Sequence, residues 1–228
     1  MGAGRMRRLK NKLKLNNAGA ALVTVIVVIA FVSVMVTVLL YSAGINYYMK
    51  TTDMRIKNNF YSTETALEQI RAALVDLAGD AYEESLNNCM MNYGMNATAG
   101  VGNSTFNSEF VGNFQSVWTN TLGSYTIEEY LKSLVDNVYS SGLTCSGGLE
   151  LHETEGYVIL KGVKIWYLKD GYESYIETDY IIKAPEIDLD IQASATNWDP
   201  ADTDHDKAKT RKELDLVTCV NYYNWVKK

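Results

Sequence analysis

Proline is nearly missing from this chain of 228 residues, which has only Pro185 and Pro200. Nothing before Pro185 therefore forbids a long helix, because proline is the residue that most reliably breaks one. Histidine is as scarce: His152 and His205 are the only two, and both stand among acidic residues. Solvated surface histidines are the expectation in that setting. No H-E-x-x-H, P-loop, G-x-S-x-G or dinucleotide fingerprint occurs, so no enzyme is expected. Cysteine is limited to Cys89, Cys145 and Cys219, with no C-x-x-C pair. That gives no support to a zinc ribbon or a thioredoxin-like motif. An oxidising compartment would allow one disulfide, in any of three pairings with one thiol left over. Three unpaired thiols fit the sequence equally well.

The most consequential absence is charge. Residues 18–49 read AGAALVTVIVVIAFVSVMVTVLLYSAGINYYM, without one ionisable acid or base of the Asp, Glu, Lys, Arg or His kind. A helix of roughly 20 apolar residues crosses a hydrocarbon core of ~30 Å. A lone strand would leave its backbone unpaired in lipid. Between Leu22 and Leu40, fourteen positions are Val, Ile, Leu or Phe. At about −0.3 to −0.6 kcal/mol each, they favour insertion by at most ~4–8 kcal/mol. Ahead of this run stand Arg5, Arg7, Arg8, Lys10, Lys12 and Lys14 with no acid. After position 19 the balance is 15 basic to 27 acidic residues, a net of −12. The positive-inside rule then keeps the N-terminus cytoplasmic and places the acidic remainder outside the cytoplasm, as a single-pass membrane protein. That acidity argues against general nucleic-acid binding. The run exceeds the ~7–15 residues of a signal-peptide core. Tyr41-Ser42-Ala43-Gly44 is also a poor signal-peptidase site.

Past Met49 the sequence turns polar but stays helical in pattern. Ile56, Phe60, Thr63, Leu67, Ile70, Leu74, Leu77 and Ala81 recur at spacings of four and three, which draws an apolar seam along one helix face. Ile56, Phe60, Leu67, Ile70 and Leu74 are the expected packing residues. Glu68 and Arg71 stand where an i,i+3 pair can form. One helix is expected from about residue 20 to 78, stopping at Gly79 or running on to Gly94. Half of it lies in lipid, and half offers an apolar face that something must cover.

Residues 92–104 read as a loop rich in Gly, Asn, Ala and Thr, with glycosylation sequons at Asn96 and Asn103. Phe106, Phe110, Phe114 and Trp118 recur every fourth residue and predict an aromatic-faced helix, bent or interrupted at Gly112. Thr126 and Glu129 have capping-box spacing. Ile127, Tyr130, Leu131, Leu134 and Val138 supply the stripe of a second short helix. From Gly147 the texture becomes β-like. Strands are expected at 149–153, 157–168 and 172–182, with a hairpin at Lys169-Asp170-Gly171. Pro185 ends or edges the third strand. Residues 186–191 offer a short edge, 197–212 a charged loop, and 214–222 a last strand. The tyrosines near the C-terminus, Tyr222 and Tyr223, are expected to fill the core with Trp225. The fold class is α+β, with the long helix packed on a small antiparallel sheet. The expected organisation is a basic leader (1–19), a transmembrane half-helix (20–48), an amphipathic outer half (49–91), a loop and short-helix region (92–146) and the sheet (147–228).

One metal constellation stands out. Asp202, Asp204 and Asp206 occupy positions 1, 3 and 5 of a calcium-loop spacing, and Glu213 falls at position 12. Lys207 sits where the EF-hand turn needs glycine, and Lys209, Arg211 and Lys212 add positive charge. Weak or no Ca²⁺ binding is expected, and no other cofactor.

A basic leader ending in Gly19, an aliphatic helix starting at Ala20, an amphipathic continuation and then an antiparallel sheet form an order that resembles type IV pilins and the pseudopilins of type II secretion. The segment Phe60-Tyr61-Ser62-Thr63-Glu64-Thr65-Ala66-Leu67-Glu68 resembles the Phe-x-x-x-Glu-x-Ala-Leu segment of PilX-like minor pilins. The likeness covers about residues 5–75. It implies cleavage between Gly19 and Ala20 by a prepilin peptidase, and assembly with other pilin-like subunits and the pilus machinery through helix bundling. Pilins usually carry glutamate at the fifth mature position, where it neutralises a neighbour's α-amino group. Thr24 stands there in this chain, as in some minor pilins and the tip pseudopilin, which lack that glutamate. The implied function is a structural subunit of a bacterial pilus or secretion filament. The other reading is a single-pass envelope protein whose extracytoplasmic head binds a ligand or partner.

Overall fold

The computed structural model describes residues 3–95, 103–185 and 215–227. The architecture is α+β. Helix α1 spans Ala3–Met95 without a break, beyond both ends of the expected 20–78. Gly79 does not stop it. That glycine is buried within the helix, and its propensity cost of about 1 kcal/mol is outweighed by its buried neighbours Leu77, Ala78, Ala81 and Tyr82. The helix passes Gly94 by one residue. The chain divides into two compact units, 1–54 and 55–228.

The described part of the first unit is helix. It holds one stretch long and apolar enough to cross a membrane, and every residue from 19 to 50 is exposed. Its hydroxyls are satisfied locally. Thr24, Ser33 and Thr37 each donate to the carbonyl four residues back, at 2.9, 2.8 and 2.8 Å. No polar hydrogen of these three is thus left to face an apolar surrounding.

The second unit packs residues of α1 against two further helices and a sheet. Helix α2 is Asn103–Leu122 and α3 is Ile127–Leu134. The residues that recur every four in α2 form a ladder. Ring centroids run Tyr82–Phe106 6.0 Å, Phe106–Phe110 6.4 Å, Phe110–Phe114 6.3 Å, Phe114–Trp118 6.4 Å and Trp118–Tyr130 5.7 Å. These separations suit favourable aromatic pairing. Gly112 does not interrupt α2, which is continuous there. Helix α3 carries the capping box: Thr126 Oγ1 accepts from the Glu129 N–H at 3.2 Å, and the Thr126 N–H donates to Glu129 Oε2 at 2.8 Å. The stripe ends at Leu134, and Val138 lies outside the helix and exposed.

The strands are β1 Gly142–Cys145, β2 Leu149–His152, β3 Tyr157–Lys169, β4 Tyr172–Lys183 and β5 Val220–Lys227. All pairings are antiparallel. β3 carries both β1 and β2 on one side and β4 on the other, and β5 lies outside β4. Between β3 and β4 the turn Asp170-Gly171 has φ of 55° and 80°, the double positive φ of a tight hairpin. The β3–β4 register slips between Leu160 and Val163. There Gly162 has φ 70°, and a Cβ on it would meet Ser146 Oγ. Its N–H donates to Asp179 Oδ1 at 2.7 Å, so the bulge is held from the neighbouring strand.

β1 falls within 92–146, where loop and short helix are expected. The final segment also differs: Leu216–Cys219 is a 3-10 turn, and the strand begins only at Val220. Burial alternates along β4. Ser174, Ile176, Thr178, Tyr180 and Ile182 are buried, facing the core formed by Leu67, Ile70 and Leu74 of α1, the α2 ladder, and Val158, Leu160, Val163 and Ile165 of β3.

Candidate functional site

The candidate site is α1 itself, which has two surfaces of different kinds. Along residues 22–40 the aliphatic side chains point in every direction round the helix, and all are exposed. Leu22 is 63% accessible, Ile29 60% and Leu39 67%. A helix that is apolar all round needs burial on all sides, and the described residues of this chain supply none there.

From Asn59 onward the same helix is one-sided. Leu67, Ile70 and Leu74 are fully buried, and Phe60 is partly buried against the core. Thr63 and Ala66 share that burial. Ile56 differs from expectation, being 43% exposed. The reason is where the sheet stops. Asn59 Nδ2 donates to the Lys169 and Tyr172 carbonyls of the β3–β4 turn at 3.2 and 2.8 Å, and Arg55 Nε lies 3.9 Å from Asp170 Oδ2 in that turn. These polar contacts mark the end of the apolar cover, and Ile56 lies at this margin. Asn59, only 3% exposed, is a clasp that hydrophobic periodicity does not reveal.

A second cluster holds the C-terminal strand on α1. Arg71 Nε donates to the Val220 carbonyl at 2.8 Å and Nη2 to the Val217 carbonyl at 3.0 Å. The expected Glu68–Arg71 pair is present at 3.5 Å. Tyr222 donates its hydroxyl to Glu68 Oε1 at 2.7 Å, and Tyr180 donates to the Leu67 carbonyl at 2.9 Å. Burial pushes the Tyr180 phenol well above its usual range. Burial, then the hydrogen bond to Glu68, does the same to Tyr222. Both are therefore neutral donors at ordinary pH. Of the C-terminal aromatics, Tyr222 and Trp225 pack on the core, while Tyr223 is exposed. This cluster joins residues some 150 positions apart, and only the i,i+3 pair was legible locally.

At the expected processing point, Gly19 lies within α1, and nothing beyond its chain neighbours and the local helix backbone comes within 4 Å of where a Cβ would stand. Packing within this chain therefore gives no reason for glycine. Thr24 Oγ1 is committed to the carbonyl of Ala20.

The calcium candidates Asp202, Asp204, Asp206 and Glu213 lie outside the described residues, as does His205. Among the described residues no group of three or more potential metal ligands occurs. His152 is more enclosed than a solvated histidine. Its ring stacks on Tyr157 with centroids 4.3 Å apart, and its nitrogens face Glu150 at 3.5 Å and Glu155 at 3.9 Å. Glu150 is itself paired with Lys161. Cys89, Cys145 and Cys219 are unpaired. Burial pushes the Cys89 and Cys145 thiols up to about 11 and raises Cys219 as well, which disfavours thiolate chemistry near neutral pH.

Comparison of this chain with protein-family models, with curated proteins and with solved structures finds no match to any of them.

Proposed function

We propose that the chain is a structural subunit of the minor-pilin or pseudopilin kind, stored in a membrane through α1 and built into a filament by bundling of that helix with its counterparts in other subunits. One observation carries the reading: a wholly exposed, uncharged helical run continues without a break into the helix that forms the core of the head. A lipid-soluble helix leaves the bilayer at low cost only when neighbouring helices cover it as completely as lipid did. The local satisfaction of Thr24, Ser33 and Thr37 suits either surrounding. The head, on this reading, is extracytoplasmic, and the N-terminus is cytoplasmic before cleavage.

The test is the N-terminus of the protein taken from cell membranes and from sheared surface filaments. Intact mass and N-terminal sequencing are expected to give Ala20 in both fractions. A chain that keeps residues 1–19 and never enters filaments would refute the proposal and favour a plain anchored head that binds a partner.

A further inference from the structure

The uncharged run is longer than a span needs, and the excess has its own chemistry. At ~1.5 Å per residue, residues 22–40 cover about 28 Å, close to a hydrocarbon core of ~30 Å. Residues 41–49 remain. They read YSAGINYYM, still uncharged but no longer aliphatic, and three of the nine are tyrosine. Lys50 follows as the first charge.

Those tyrosines are not core residues. Tyr41, Tyr47 and Tyr48 are 71%, 75% and 68% exposed, more than most of the aliphatic residues before them. Tyr41 and Tyr48 are seven positions apart and share a helix face, and Tyr47 stands about 100° from Tyr48. Together they make a collar about two turns, or ~10 Å, tall. A polar headgroup layer is of similar size, roughly 5–8 Å on each side of the hydrocarbon. Tyrosine suits that layer because its ring is apolar and its hydroxyl wants water. The opposite end of the run has no such collar, and carries instead the basic residues 5–14. The two ends are thus matched to different leaflets.

We infer that Tyr41, Tyr47 and Tyr48 are an interfacial anchor for the lipid headgroup layer on the head's side of the membrane, fixing the depth of α1 so that hydrocarbon ends near Leu40 and Lys50 is in water. The inference rests on the membrane reading above and adds a partner and a boundary to it. Depth is set by the tyrosines rather than by the length of the uncharged run, which alone would tolerate sliding by about ten residues.

The test uses the full uncut chain in phosphatidylcholine–phosphatidylglycerol vesicles. Single nitroxide labels go on F31C, I45C and M54C, with the unsubstituted chain as background for its own thiols. Accessibility to oxygen and to a water-soluble nickel complex reports depth. Residue 31 is expected in the hydrocarbon, 45 at the headgroups and 54 in water. Replacing all three tyrosines by serine is expected to shift the residue 45 label by roughly one helical turn, ~5 Å, while replacement by tryptophan holds it in place. An unchanged depth in the serine variant would overturn the anchor. So would a residue 45 label as water-exposed as that at 54, or strong spin–spin broadening at 45, which would assign the face to contact between copies. A water-accessible label at residue 31 would remove the membrane reading itself, and the anchor with it.

Discussion

Residues 19–50 and 59–89 belong to one helix yet solve opposite problems. In the first stretch every side chain is exposed, and aliphatic residues stand on all faces. In the second, apolar residues recur at spacings of three and four, and Leu67, Ile70, Leu74 and Ala78 are wholly buried. The backbone hydrogen bonds are the same kind in both. What differs is who supplies the cover. The second stretch finds it in α2 and the sheet of its own chain, while the described residues supply none to the first. A helix without amphipathic sidedness therefore carries information about surroundings that the fold itself does not contain.

The sharpest way to break this contrast is to truncate one apolar side chain to alanine in each stretch. Leu74→Ala removes a fully buried side chain and is expected to cost about 2–5 kcal/mol of head stability, because the packed surroundings close only partly over the cavity. Val28→Ala trims a side chain that is 53% exposed and outside the buried core, and the unfolding midpoint of the head is expected to stay where it was. Denaturant unfolding of the full chain in detergent, followed by the near-ultraviolet signal of the core aromatics, reads both. Comparable losses from the two substitutions would mean that the first stretch contributes to the head after all.

The two stretches were also legible to different degrees. The apolar run announces itself by composition, and the seam by its period. The Asp170-Gly171 turn and the Thr126–Glu129 cap carry their geometry in a few adjacent residues. What stayed hidden is what distant residues decide. β1 is only Gly142-Leu143-Thr144-Cys145, too short for an alternation signal, and it exists because Val163 to Trp166 of β3 offer it a partner. At Gly142 the Trp166 indole lies where a Cβ would be. Ile56 continued the period, but no period says where the covering sheet ends. Arg71 and Asn59 read as ordinary polar faces until the carbonyls they reach, on β5 and the β3–β4 turn, are in view.

A smaller effect distinguishes burial from polar ties within the second stretch. Tyr222→Phe keeps the ring on the core but removes the donor to Glu68. About 1 kcal/mol is expected from one such bond, seen as faster hydrogen exchange in β5. The same bond sets an alkaline limit. The Tyr222 pKa is raised in the folded chain, so its contribution is fully present below the normal phenol value near ~10 and is lost as pH rises through the folded value. Burial gives Tyr180 the same sign. In the native chain β5 is thus expected to loosen as pH climbs above that range, and Tyr222→Phe should flatten part of this dependence. An alkaline transition of the same size in both proteins would show that Tyr222 is not its source.

The most local effect belongs to α3, where no extensive buried seam does the work. Eight residues are too few for a helix to persist alone, and only Leu131 within it is fully buried. Its start therefore depends on Thr126 and Glu129 in a way that α1 does not depend on any one cap. Thr126→Ala is expected to cost about 1 kcal/mol, confined to exchange of the α3 amides. Hydrogen bonds from the Thr126 backbone and side chain hold the Glu129 carboxyl below its usual value. The sign follows: the cap's full strength is present above the normal carboxylate pKa and is lost as pH falls through the lowered one. Acid should loosen α3 in the native chain and have less left to remove in Thr126→Ala, while the buried seam at Leu67, Ile70 and Leu74, which has no titratable group of its own, stays protected at the same pH. If the seam opened together with α3 in acid, the helix core and the short capped helix would be one cooperative unit, and the distinction between tertiary cover and local capping would not hold in this head.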